Sequence, residues 1–197
     1  MAKDDRQGRG GAGVPQAWRL ARHIALVGLM GAGKSSLGRR FAKAIGARFV
    51  DADREIERAA GMSISDIFET RGEADFRDGE RRVIARLLEE APLVLATGGG
   101  AFVDPDTRQL MRAKATTVWL KADLDTLVRR CGRRDTRPLL RQGDPREILG
   151  RLMEERDPLY AEADVALPSR DEPFAKAIEA MVAVLGERGD LRAEAAA

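Results

Sequence analysis

The octet Gly28-Leu29-Met30-Gly31-Ala32-Gly33-Lys34-Ser35 has the residue types and spacing to hold a polyphosphate. Glycines let backbone N–H groups curl around an anion without Cβ obstruction, and a helix start adds its partial positive charge. Lys34 is then expected to reach the β- and γ-phosphates and the Ser35 hydroxyl to ligate Mg²⁺, with Gly31, Ala32, Gly33 and Ser36 completing the cradle. The competing reading is a glycine-rich turn with a chance Lys-Ser pair. The flanks favour the first reading: Ile24-Ala25-Leu26-Val27 is a buried-strand run, and Leu37, Phe41 and Ile45 recur at helical spacing.

Three further groups of residues could do chemistry. Asp51-Ala52-Asp53 ends a second apolar run, and two carboxylates at i and i+2 on an extended chain point the same way. One could steady Mg²⁺ through its water shell while the other accepts a hydroxyl proton; alternatively Asp53 simply caps the next helix. Thr97-Gly98-Gly99-Gly100 suits a ligand touching backbone, or a plain connection. Arg129, Arg130, Arg133, Arg134, Arg137 and Arg141 crowd one stretch with Gly132 and Gly143 at its sides. Beside a phosphate loop, that stretch reads better as a mobile lid carrying charge to a transferred phosphoryl group than as a solvated basic face.

The elements that must position these groups alternate. Strands are expected at His23–Val27, Arg48–Asp51, Leu93–Thr97, Thr117–Leu120 and Asp164–Leu167. Helices are expected between and after them, with end signals at Gly61, Ser63, Asp104-Pro105 and Asp144-Pro145. The segments Ser63–Thr70 and Glu73–Glu90 read as two separate helices. The pattern predicts an α/β fold, a five-stranded parallel sheet flanked by helices, with ligands beyond the carboxyl ends of the strands. Residues 1–20 are expected to be a flexible tail, 21–188 one domain and 189–197 a second tail. With 197 residues, 44% apolar and 34% charged, the chain can bury a real core. A net charge of +2 argues against non-specific nucleic-acid binding. No apolar run is long enough for a bilayer, the first 22 residues hold no secretory h-region, and a single cysteine, Cys131, fits a reducing compartment. The expectation is therefore a cytoplasmic monomer with no membrane or nucleic-acid partner.

Beyond the phosphate loop, a series of motifs resembles the shikimate kinase family. It comprises Phe49-Val50-Asp51-Ala52-Asp53, Ile56-Glu57, Gly61–Phe68, Gly72-Glu73-Ala74-Asp75-Phe76-Arg77 with Glu80, Thr97–Gly100, Arg137-Pro138-Leu139-Leu140 and Arg156-Asp157-Pro158-Leu159-Tyr160 with Ala163-Asp164. These run in the family's order from about residue 23 to 186. The resemblance implies a fold like that of the nucleoside monophosphate kinases. It implies transfer of the γ-phosphoryl of ATP to the 3-hydroxyl of shikimate, with one Mg²⁺ and with ATP and shikimate as partners. Arg77 and Arg156 match the family's carboxylate-binding arginines, and Asp53 the residue that orients or deprotonates the attacking hydroxyl. Gly98, Gly99 and Gly100 match the wall of the substrate site. Arg137 matches the lid arginine that reaches the phosphates, Arg130 one that lies along the adenine, and Asp51 a carboxylate near Mg²⁺. Lys34, Asp53 and Arg137 are thus the expected catalytic residues, and Ser35 and Asp51 the expected metal residues. Phe68 and Phe76 are either pocket walls or ordinary core.

The chain departs from the family at Ser36, where a threonine is usual, and at Pro168–Pro173, a poor match to its adenine-contacting loop that leaves Arg170 a weak candidate. A gluconate or nucleoside monophosphate kinase would share the phosphate loop and lid but not the combination of Asp53, Phe76-Arg77, the triple glycine and Arg156. A non-catalytic ATP-binding module would have no need of the whole constellation.

Overall fold

In the computed structural model, which describes residues 18–132 and 143–194, seven short strands form. They are β1 (Trp18–Leu20), β2 (His23–Val27), β3 (Phe49–Asp51), β4 (Val94–Ala96), β5 (Ala115–Lys121), β6 (Val165–Pro168) and β7 (Leu191–Ala193). The helices among the described residues are α1 (Lys34–Ala44), α2 (Ala52–Ala60), α3 (Ile64–Leu87), α4 (Pro105–Lys114), α5 (Leu124–Cys131), α6 (Pro145–Tyr160) and α7 (Phe174–Glu187). The five strands expected from apolar runs make one parallel sheet in the order β3-β4-β2-β5-β6. Every residue of β2 is buried, as a central strand covered on both faces requires. The chain leaves β2 for β3 on one side and later crosses from β4 to β5 on the other. A crevice therefore opens at the carboxyl end of β2, where the phosphate loop begins.

Helix boundaries follow local chemistry. Ser63, Asp104 and Asp144 accept hydrogen bonds from the N–H groups of Asp66, Thr107 and Arg146 at 3.1, 2.8 and 2.9 Å. The two helices expected at 63–70 and 73–90 meet at Gly72, whose φ of 83° and ψ of 173° interrupt α3. At Gly38, α1 lies so close to the sheet that a Cβ would sit 2.7 Å from Leu26 Cδ1 and 2.8 Å from Phe49 Cε2. That contact seats the helix following the phosphate loop firmly over β2 and β3.

Two expectations need correction. Residues 18–20 and 191–193, read as parts of the tails, form an antiparallel pair, Trp18 opposite Ala193 and Leu20 opposite Leu191. Leu20 and Leu191 are buried against the core, and such a pairing of chain ends leaves no local pattern to read. Secondly, the chain turns helical at Ala52, so Asp51 and Asp53 do not alternate along a strand. Asp51 is the N-cap residue of α2, and Asp53 stands in its first turn.

At the opposite end of the sheet lies His23, the only histidine of the chain. It is buried, and its Nδ1 accepts the Leu93 N–H at 3.3 Å. Burial holds its pKa below the ordinary 6.5, outweighing the hydrogen bond to the Leu88 backbone and the nearby Glu90. Below pH 6.5 the unfolded chain takes up a proton that the folded one resists, so stability is full above that pH and is lost as pH falls. Thermal unfolding from pH 8 to 5 should therefore show a drop in Tm beginning near 6.5 that is shallower in His23→Gln.

Candidate active site

The carboxyl ends of the central strands open into a cleft of about 1310 Å³. One end is the loop Met30–Ser36 and the other is built from α2, α3 and the Gly98–Gly100 turn. In the loop, Gly31 and Gly33 have φ of 82° and 93°, backbone that residues with a Cβ rarely adopt. Lys34 is buried, and its Nζ donates to Gly28 O at 2.6 Å and Leu29 O at 2.9 Å. The ammonium thus sits at the helix start with its stem covered. Ser35 and Ser36 face the same cleft.

At the other end, a Cβ placed on Gly98 would lie 2.8 Å from Glu80 Oε1 and 2.9 Å from Asp53 Oδ1. Two carboxylate oxygens thus converge over one glycine, and any larger residue would displace them. A Cβ on Gly100 would strike the Arg77 guanidinium. Arg77 Nη1 donates to Glu80 Oε2 at 2.8 Å, and Nη2 to Glu73 Oε1 at 3.0 Å. Glu80 is 1% exposed, and its Oε1 has no hydrogen-bond partner among the described residues. Burial raises its pKa, the Arg77 charge opposes that rise, and Asp53 and Asp104 add to it.

Arg156, on α6, reaches Gly99 O with Nη1 at 3.4 Å. The Tyr160 hydroxyl, one turn further on, donates to the same carbonyl. Burial pushes the Tyr160 pKa up to about 12, so the phenol remains a donor. Its ring packs against Phe102 and Trp119 with centroids 6.4 and 6.0 Å apart. The glycine turn is thereby fixed to α6, while α3 brings Arg77 to its next residue. Phe68 and Phe76, with ring centroids 4.6 Å apart, serve as both wall and packing: both line the cleft, and Phe76 is buried.

The structure thus brings together Gly31, Ala32, Gly33, Lys34, Ser35, Ser36, Asp53, Arg77, Gly98, Gly99, Gly100, Arg130 and Arg156 around one cleft. Asp51 is half-buried at the end of β3 and is not part of the cleft wall, because the helical turn at Ala52 directs only Asp53 inward. Of the stretch read as a lid, Arg129 and Arg130 belong to α5, whereas Arg137 and the rest of residues 133–142 lie outside the described residues. Reading the sequence missed Tyr160 and the orphaned Glu80 oxygen. Both stood inside quoted motifs, but their partners are set by how α3, α6 and β4 meet.

The family model for shikimate kinase matches residues 30–185. A shikimate kinase of Paramagnetospirillum magneticum is 62% identical over 164 residues, 83% of this chain and 84% of that protein. The chain belongs to the shikimate kinase family. A second relative, a shikimate kinase of Caulobacter vibrioides, is 58% identical over 84% of this chain and 82% of its own. The solved shikimate kinase of Acinetobacter baumannii, a complex with shikimate, superposes with a TM-score of 0.82 at 36% identity, covering 85% of this chain and 94% of that one. The fold is that of the P-loop kinases, and the activity of a shikimate kinase is transfer of the γ-phosphoryl of ATP to the 3-hydroxyl of shikimate on the route to chorismate. Among the described residues no helix is long and apolar enough to cross a membrane.

Proposed function

We propose a division of labour within this shikimate kinase in which ATP lies along Met30–Ser36 and shikimate over the Gly98–Gly100 turn. The observation that carries it is the convergence of Asp53, Arg77 and Arg156 on that turn, in the cleft that also opens onto the phosphate loop. Arg77 keeps the buried Glu80 as its anchor and exchanges the exposed Glu73 for the substrate carboxylate. Arg156 meets the same carboxylate from α6. A planar guanidinium suits this task because it pairs bidentately. Asp53 orients the 3-hydroxyl and accepts its proton as the oxygen attacks the γ-phosphorus. The bond from phosphorus to the β–γ bridging oxygen breaks, and ADP leaves with the electron pair. Lys34 and the loop N–H groups offset the negative charge of the transferring group, and Arg137 is assigned the same task from its motif.

The donor set suits Mg²⁺. Ser35 and Asp53, both lining the cleft, offer hard oxygen donors. No group of three His, Cys, Asp or Glu side chains among the described residues could cage a metal. Ser35 is proposed to hold it, with water completing the shell, and bound there it would offset charge on the β- and γ-phosphates. We assign the protein to the cytoplasm on its single cysteine and take it to act as a monomer.

The test is ADP formation with shikimate, gluconate, a nucleoside monophosphate or no acceptor. Turnover is expected with shikimate, and turnover confined to another acceptor would remove the assignment. Arg77→Ala and Arg156→Ala should each weaken shikimate binding roughly 30- to 100-fold and leave ATP within about two-fold, as loss of a charged hydrogen-bonded pair implies. Their combined effect should be less than the product, because both hold one carboxylate. Equal losses of ATP affinity would instead mean a collapsed cleft.

A further inference from the structure

Ser169 stands just past β6, in the stretch Pro168–Pro173 that matches the family's pattern poorly. Its backbone N–H donates to Lys121 O at 2.7 Å, which ties it to the end of β5. Its hydroxyl is used twice: it donates to Ala32 O at 2.7 Å and accepts from Arg130 Nη1 at 2.9 Å. A serine hydroxyl has one proton, and here it goes to a carbonyl of the phosphate loop. The same Arg130 nitrogen lies 3.4 Å from Gly31 O, while Nη2 donates to Arg170 O at 2.8 Å and Asp171 Oδ1 at 3.1 Å. The edges of the guanidinium are therefore occupied by protein.

The peptide joining Ala32 to Gly33 is planar and trans, so holding Ala32 O on one side sends the Gly33 N–H to the other. Gly33, at φ 93°, has no Cβ to resist rotation of that peptide. Without a partner for the carbonyl, the unit can turn over at little cost. Across 137 positions of sequence, one hydroxyl supplies that partner.

We propose that Ser169 is a positioning residue for the nucleotide. Its hydroxyl clamps the Ala32–Gly33 peptide with the Gly33 N–H toward the phosphates and links that clamp to Arg130. The inference rests on ATP lying along the loop, which turnover of the parent enzyme with ATP and shikimate checks independently.

The experiment compares the parent, Ser169→Ala and Ser169→Thr in steady-state kinetics, in binding of inorganic tripolyphosphate and in thermal unfolding. Ser169→Ala should raise KM for ATP and weaken tripolyphosphate about tenfold, the loss of one hydrogen bond to a loop that must stay ordered. Shikimate KM should stay within about two-fold and Tm within about 2 °C, since the hydroxyl is half-exposed and bonds Ala32 and Arg130 rather than the groups proposed to hold shikimate. Ser169→Thr, which retains the hydroxyl, should recover most of the loss. Unchanged ATP and tripolyphosphate constants would overturn the proposal. So would a loss of ATP without tripolyphosphate, which would confine the effect to the base through Arg130. Equal behaviour of the two variants, or a parallel loss of shikimate affinity, would reduce the contact to general structure.

Discussion

Asp53→Asn is expected to bind shikimate within a few-fold of the parent and to lose about 10²- to 10⁴-fold in kcat, the range of a positioned general base. Asp53 Oδ1 and Glu80 Oε1 both approach Gly98, and that is where the substrate hydroxyl is proposed to lie. An amide of the same shape can still orient that hydroxyl through its oxygen. It cannot take the proton. The loss should therefore fall on kcat, with KM for shikimate and ATP little changed. Single-turnover measurements should show slow chemistry and ordinary binding. A variant with near-parent kcat would make Asp53 an orienting group only, and a large rise in shikimate KM with intact kcat would make it a binding group.

Lys34→Met should lower kcat about 10²- to 10³-fold, the cost of removing one preorganised positive group from a developing anion. The structure adds a second consequence. Lys34 Nζ already holds Gly28 O and Leu29 O, at 2.6 and 2.9 Å, so the ammonium also braces the loop before any ligand arrives. Methionine keeps most of the stem's volume in this buried position but leaves those two carbonyls without their charged donor. ATP affinity should accordingly fall along with kcat, whereas shikimate binding, at the far end of the cleft, should not. Ordinary turnover in this variant would mean that the loop has another task. A fall in shikimate affinity equal to that for ATP would mean that the change unfolds the whole cleft.

Much of this molecule was legible because its signals are local. The phosphate loop is eight consecutive residues between a buried strand and an amphipathic helix, and each of the five strands of the parallel sheet is a short apolar run. Caps such as Ser63, Asp104 and Asp144 bond to residues no more than three positions away, so residue type alone announces them. Asp51 marks the limit of such reasoning. The i, i+2 argument required an extended chain, and whether α2 starts at Ala52 or Asp53 decides which carboxylate enters the cleft. One residue of helix boundary took Asp51 out of the cleft wall.

By itself, the sequence determined the fold class, the phosphate loop and the family, and it supplied the groups proposed to meet the substrates. Each of these depends on residue types at short, fixed spacing or on a series of such motifs in order. Only the tertiary structure decided who supports those groups. It showed that Tyr160 and Arg156 share the Gly99 carbonyl, that Glu80 anchors Arg77 with one oxygen and leaves the other over Gly98, and that Ser169 holds the carbonyl of Ala32. It also closed the two ends of the domain against each other through β1 and β7. These contacts join positions tens to more than a hundred residues apart, and their energy exists only once sheet order and helix packing have brought the partners within hydrogen-bond reach.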